Sequence, residues 1–342
     1  MQWVRWILSV LAVAALGSSS AQADAVADFY RGKTVTLIVS GSAGGGYDTL
    51  ARLVSKFLGK HVPGNPSIVV KNMPGAGGLI ATNHMFTVAP RDGTVIASPQ
   101  NNVPFEPLYG TKSADYDASK FNWLGSPAPE VSILTVWHTV PVNTLQDATR
   151  HELAVGASGA NSTPSFYGHI FMETLGVKLK IIPGFPGQND AFLAMERGEI
   201  DGYPSVFYNS LMATRPTWIA EKKVKLLVQI GAEREPAIAD VPFAADLAKN
   251  VDDKLLIEQA AAPLAVGRPY LLPPEVPPER VEAMRAAFMA TLKDPDFVAE
   301  QDKLQLGANQ PKTGAQIQEI VARAYRTPPQ VLDRLKKIIG NN

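Results

Sequence analysis

At 342 residues, with 46% apolar, 8% aromatic and 19% charged residues, the chain has an ordinary globular composition and enough length for two lobes or domains. Lys+Arg and Asp+Glu are equal at 32 each, so no net field draws it to nucleic acid or to an anionic membrane surface. The chain has no cysteine, which excludes disulfides, thiol nucleophiles and thiolate metal sites.

The first segment, "MQWVRWILSVLAVAALGSSSAQADAV", carries one cation at Arg5, an apolar run from Trp6 to Leu16, and Ala21-Gln22-Ala23 as an A-x-A pattern. This predicts a secretory signal peptide over residues 1–23, cleaved after Ala23, and a mature chain exported to a periplasm. The run of about eleven apolar residues is too short to cross a bilayer, which needs about 20.

Next, "KTVTLIVSG" reads as a buried strand and "YDTLARLVSKFLGK" as a helix. Its Leu50, Leu53, Val54, Phe57 and Leu58 fall on one face, and Gly59 marks its end. A second strand, "SIVVKN", leads into "MPGAGGLIATNHMF", a glycine-rich turn with a helix behind it, and "GTVIAS" reads as a third strand. Past the middle, "ELAVGASGANSTPSFYGHIFMETLG" again gives strand, small-residue loop and helix, with Pro164 in the first turn, Thr163 or Ser162 as cap, and Tyr167, Ile170, Phe171 and Leu175 on its buried face. "LKIIPGFPGQNDAFLAMERGEIDGYPSV" repeats the pattern and "KVKLLVQIGAE" adds a strand. Strands alternating with helices predict an α/β fold with open, mostly parallel sheets. The run "APLAVGRPYLLPPEVPPERVEAMRAAF" reads as a strand and a proline-rich connection into a helix. Two terminal helices follow, the last capped by Thr327.

The turn "SGSAGGGYD" joins a strand end to a helix start. Unpaired backbone N–H groups and the positive end of the helix dipole favour an anion there, and glycines let a ligand approach the backbone. The same Gly44, Gly45 and Gly46 also suit a plain sharp βα turn, with Asp48 as a helix-start residue. The spacing departs from G-x-G-x-x-G, and the next strand ends in Lys71-Asn72 instead of an acidic residue, which argues against a dinucleotide. The loop Gly156 to Thr163 supplies a comparable junction in the other half, so two helix N-termini facing one cleft would hold an anion without arginine. Its Ser158, Asn161, Ser162 and Thr163 suit both ligand hydrogen bonds and ordinary capping.

No catalytic signature emerges. His61, His84, His138, His151 and His169 show neither H-x-x-x-H nor H-E-x-x-H spacing, and no serine sits in a G-x-S-x-G elbow. No cofactor is implied.

The ordered set "SGSAGGGYDTLARL", "VVKNMPGAGG", "APRDGTVIAS", "GASGANSTPS", "RGEIDGYPSV" and "APLAVGRPYLLPPEVPPERV" resembles the periplasmic substrate-binding receptors of tripartite tricarboxylate transporters, the Bug-type family, over nearly the whole mature chain. The resemblance implies a two-lobed type II periplasmic-binding-protein (flytrap) fold, with lobe I over 24–127 and 236–342 and lobe II over 128–235. It implies a monomeric, non-enzymatic receptor that delivers a small organic acid (a di- or tricarboxylate, an amino acid or an aromatic carboxylate) to integral-membrane permease subunits.

On this resemblance the ligand carboxylate is gripped by Ser42, Ala43, Gly44, Gly45, Gly46, Tyr47 and Asp48 from one lobe. Ser158, Gly159, Ala160, Asn161, Ser162 and Thr163 grip it from the other, largely through backbone N–H groups and waters. Family cleft positions also fall on Asn72, Gly77, Gly78, Gln100 and Asn101. The chain departs from the family at Ile182-Pro183-Gly184-Phe185, where a tyrosine usually follows the proline, and at Ser205, where an acidic residue is common. Phe185, Tyr203 and Tyr208 are candidate walls for an aromatic or longer apolar ligand, with core packing as their ordinary alternative. A ligand-sensing partner of a signalling receptor and an exported hydrolase or transferase are the competing functions.

Overall fold

The computed structural model describes residues 25–41, 43–159, 162–185, 187–308 and 310–340. The signal-peptide reading, and the candidate ligand residues Ser42, Ala160 and Asn161, lie outside them.

After a helical segment α1 over 25–30, the first lobe is built on β1 (Thr34–Val39), α2 (Gly46–His61), β2 (Ser67–Asn72), α3 (Leu79–Thr87), β3 (Val95–Ser98) and β4 (Asn122–Ser126). The second takes β5 (Ser132–Trp137), α4 (Leu145–Ala148), β6 (Leu153–Gly156), α5 (Thr163–Leu175), β7 (Leu179–Ile182), α6 (Gln188–Glu196), β8 (Gly202–Phe207), α7 (Tyr208–Thr214) and β9 (Val224–Ile230). The chain then runs through α8 (Val251–Val266), β10 (Tyr270–Leu272), α9 (Pro278–Lys293), α10 (Pro295–Lys303), β11 (Lys312–Thr313), α11 (Gly314–Ala324) and α12 (Pro329–Ile338).

Two sheets result, ordered β11-β4-β10-β3-β1-β2 and β7-β6-β8-β5-β9. In each, a βαβ core is parallel: β1 pairs with β2 and β3, and β6 with β7 and β8. The remaining strands are antiparallel. Both sheets are therefore mixed, because the chain crosses between them twice, after β4 and after α8, and the returning strands enter from the opposite direction. In both, the strand order reverses beside the first strand of the βαβ core, and such switch points open a crevice at the strand C-termini.

Helix α2 shows why the sequence pattern works. Leu50, Leu53, Val54, Phe57 and Leu58 are all buried, and Phe57 meets Phe297 of α10 edge to face at 5.9 Å. Burying a leucine or phenylalanine side chain stabilises by about 1.5–3 kcal/mol, so this face alone anchors the helix to the sheet. The helix continues two residues beyond Gly59 to His61. On α5, Tyr167, Ile170, Phe171 and Leu175 are likewise buried.

Three local readings are corrected. "APLAV" is the last turn of α8, not a strand, and β10 is confined to Tyr270–Leu272. Pro263 is accommodated inside that helix because the preceding alanines favour helix strongly enough to tolerate a missing N–H near its end. Thr327 does not cap α12: Pro328 holds the cap position, and the Thr327 hydroxyl donates to Gln259 Oε1 at 2.6 Å. Ser162 occupies the N-cap of α5 but makes no side-chain cap.

One hydrophobic cluster runs through both lobes, from Trp123 and Ile38 in the first through Leu256, Ala260 and Leu264 of α8 to Val155, Tyr167 and Phe171 in the second. Helix α8 is thus shared between them. Arg334 of α12 reaches both Asp253 of α8 and Glu173 of α5, at 2.7 and 3.0 Å. Among the described residues no helix is long and apolar enough to cross a membrane.

Candidate functional site

A cavity of about 600 Å³ lies between the lobes, at the switch points of the two sheets. One wall comes from the turn before α3 (Ala76, Gly77) and the segment after β3 (Gln100, Asn101, Asn102, Glu106, Tyr109). The other comes from the loop after β6 and the first turns of α5 (Ser158, Gly159, Ser162, Thr163, Phe166, His169). Pro263 of α8 and Ile339 after α12 complete the lining.

The glycine turn stands beside this cavity, locked from behind. Asp48, 2% exposed, accepts from the Gly44 N–H and from Arg52 Nε, both at 2.8 Å, and from Asn72 Nδ2 at 2.9 Å. Asn72 Nδ2 also donates to the Gly41 carbonyl. Burial opposes the charge on Asp48, but the bonds from Arg52, Gly44 and Asn72 outweigh it and hold the carboxyl below its usual range. Asp48 and Asn72 therefore brace the turn; neither borders the cavity. Gly44 needs its positive φ of 77°. Gly45 is the uncapped N-cap of α2, and Gly46 lies under the Arg268 guanidinium, which donates to its carbonyl. Ala43 and Gly44 border an outer depression with Arg52, Lys56 and Glu300. Tyr47 joins turn and wall, its hydroxyl accepting the Asn101 N–H at 3.1 Å.

On the first wall, Gly77 and Gly78 both hold positive φ, 63° and 97°. Gly77 lines the cavity, whereas Gly78 packs behind it against Ser40, Val103 and Gln100. Asn101 is 3% exposed, and its Nδ2 has no partner among the described residues. Asn102 donates through Nδ2 to Glu106 Oε1 at 2.6 Å, which leaves its Oδ1 buried and without a partner among the described residues. Unmade hydrogen bonds of this kind are uncommon in folded interiors and mark places where a guest completes the network.

On the second wall, Ser162 and Ser165 both turn their hydroxyls back to the Gly159 carbonyl, at 2.7 and 2.6 Å. With no side-chain cap, the positive end of the 13-residue α5 is presented at the Ser162–Thr163 edge of the cavity.

The structure thus brings Gly77, Gln100 and Asn101 together with Ser158, Gly159, Ser162 and Thr163 around one space. Phe185, Tyr203 and Ser205 lie elsewhere. Phe185 packs near Gly156 and the core of the second lobe. Tyr203 is 4% exposed and meets Phe192 edge to face at 5.7 Å. Ser205 shares a hydrogen bond with Ser132 across β5 and β8 at 2.6 Å. Tyr208 also packs on the second-lobe core.

Among the lining residues that escape motif reading are Glu106, Tyr109, Phe166 and His169. Phe105, Tyr109 and Phe166 form a stack across the lobes, with centroids 6.4 and 6.1 Å apart. The spacing Asn102, Glu106 was the available signal for the polar corner, being one helical turn. Among the described lining residues none is Lys or Arg, and burial lowers the His169 pKa, so the imidazole is neutral at pH 7. Among the described residues no group of three or more His, Asp or Glu is arranged to hold a metal ion.

Comparison with known proteins adds the family. The model of the tripartite tricarboxylate transporter family receptor matches residues 50–336. A relative from Cupriavidus necator, the UPF0065 protein in the gbd 5' region, is 29% identical over 254 residues, covering 69% of this chain and 71% of its own. The periplasmic binding protein BugD superposes with a TM-score of 0.66 at 21% identity, over 90% of this chain and 98% of that one. MatC from Rhodopseudomonas palustris, solved with bound malate, gives a TM-score of 0.66 at 21% identity over 90% and 99%.

Proposed function

Since this chain belongs to the tripartite tricarboxylate transporter receptor family, we propose that it is a periplasmic solute receptor that holds a small organic carboxylate between its lobes and hands it to membrane permease subunits. The observation that carries the reading is the pairing, across one cavity, of the uncapped start of α5 with the unpartnered Asn101 amide. The Ser162 N–H is taken by the Gly159 carbonyl, but no side chain caps the helix start behind it, and Asn101 Nδ2 has no hydrogen-bond partner among the described residues, so both sides offer N–H donors to an anion. The malate bound by MatC carries the carboxylate group that such donors take.

Charge-assisted hydrogen bonds contribute about 1.5–3 kcal/mol each. Three or four of them, with some apolar burial against Phe166 and Tyr109, reach the roughly 8 kcal/mol of micromolar affinity. The contact set is Gly77, Gln100, Asn101, Ser158, Gly159, Ser162 and Thr163, extended by Ser42, Ala160 and Asn161 of the same loops. The turn Ala43 to Tyr47 contributes after closure, braced by Asp48 and Asn72. With lobe I over 24–127 and 236–342 and lobe II over 128–235, α8, which packs on both, is counted with lobe I although the second crossing follows it; the lobes move about the two crossings, with ligand favouring the closed state because it touches both. The mature chain begins after Ala23, works as a monomer and performs no chemistry on its ligand.

A thermal-shift screen of the purified chain against mono-, di- and tricarboxylates tests this, with recovery of the bound acid unchanged as the check on catalysis. A ligand at 100 times its Kd adds about 2.7 kcal/mol of stability. No shift with any acid at millimolar concentration would overturn it.

A further inference from the structure

The cavity is asymmetric in charge. Its donors are the start of α5 and the Asn101 amide, whereas the adjoining corner, Asn102 with Glu106, turns a carboxylate to the cavity. The 3₁₀ turn Val103–Phe105 sets Asn102 and Glu106 side by side. Asn102 Nδ2 holds one carboxylate oxygen of Glu106 at 2.6 Å, and the Thr111 hydroxyl holds the other at 2.5 Å. The carboxylate is therefore oriented, and Asn102 is fixed with its own Oδ1 turned away, buried and without a partner among the described residues.

Glu106 is the one charged side chain among the described lining residues at neutral pH, since none is Lys or Arg and His169 is uncharged there. A second free carboxylate on a ligand would meet Glu106 across the cavity, with no Lys or Arg among the described lining residues to offset it. An ammonium would meet a pre-oriented carboxylate.

Resting on the carboxylate-receptor reading, we propose that Glu106 is a specificity-determining residue that selects acids carrying an ammonium group at their far end and rejects diacids of the same length. The carboxylate is held between α5 and Asn101, and the ammonium by Glu106, whose carboxylate Asn102 and Thr111 keep in place.

Calorimetric titration of the purified chain with two length-matched sets tests this: 4-aminobutanoate, succinate and butanoate, then 6-aminohexanoate, adipate and hexanoate. In at least one set the amino acid binds at least about tenfold more tightly than the diacid, equivalent to roughly 1.4 kcal/mol. Glu106→Gln reduces that ratio below about threefold, and Glu106→Asp, which keeps the charge, retains it. Diacids that bind as tightly as amino acids, or a ratio unchanged in a folded Glu106→Gln variant, would overturn the inference while leaving the receptor reading intact. Absence of binding by every acid would overturn the receptor reading itself. Should Glu106→Gln fail to fold, the wild-type ratio together with Glu106→Asp decides.

Discussion

Arg268 Nε lies 2.7 Å from Glu130 Oε1, with both side chains at least 96% buried, where the chain crosses between the lobes. Arg268 also donates to the Gly46 carbonyl of α2 at 3.2 Å and to Ser210 Oγ of α7 at 3.1 Å, and its guanidinium lies over the Tyr47 ring. Its backbone N–H donates to Ser126 Oγ, and the Glu130 N–H to the Leu264 carbonyl. One cation thus gathers both crossings, the glycine turn and the second lobe. Burial pushes the Glu130 carboxyl upward against the opposing pull of Arg268, so the carboxylate depends on that partner.

Removing the cation strands the anion. Arg268→Met is expected to lower stability by about 3–5 kcal/mol in urea denaturation, and Arg268→Met combined with Glu130→Gln to recover most of the loss. A double variant no more stable than the single one would show that the pair does not act as a unit.

Asp48 and Asp294 set the acid limit of the fold. Hydrogen bonding to Lys60 and His61 holds the Asp294 carboxyl far below its usual range against its burial, and Asp48 is depressed as described above. A folded pKa below the unfolded value of about 3.9 means that the stabilisation is present above that pH and disappears as pH falls through the folded value. Asp294→Asn and Asp48→Asn should each flatten the fall in stability below about pH 4, read from urea midpoints across pH. Asp48→Asn should also weaken ligand binding by loosening the glycine turn.

Asn101 separates binding from folding. Because its Nδ2 has no partner among the described residues and its backbone N–H, not its side chain, contacts Tyr47, Asn101→Ala should leave the melting temperature nearly unchanged. Loss of one charge-assisted bond should still weaken carboxylate binding roughly tenfold or more. Unaltered affinity would remove Asn101 from the contact set.

The Tyr109–Phe166 stack joins rings from opposite lobes, with planes 24° apart. Such pairs contribute about 0.5–1.5 kcal/mol beyond their buried area. Phe166→Ala should therefore shift the ligand-free chain toward open forms, seen as a larger radius of gyration in solution scattering, with saturating ligand restoring much of the compaction.

The sequence by itself determined the local units. The period of Leu50, Leu53, Val54, Phe57 and Leu58, the β-branched runs at β1 and β2, and the glycine-rich and small-residue turns are readable because side-chain period and turn chemistry act over a few residues. The ordered motifs also carried the family and the two-lobed fold. Tertiary structure decided how those units share work. Asp48 and Asn72 are placed behind the turn, since a buried carboxylate gathers whatever N–H groups the fold brings within reach, and Asn72 is 24 residues away. Tyr203 and Ser205 fall on the packed face of β8, and pairing with β5 sets that face. The oriented Glu106, the Tyr109–Phe166 stack and the Arg268–Glu130 pair depend on contacts between distant segments. Burial and pairing of this kind have no period in the chain, so they emerge only when the two sheets close on one another through α8.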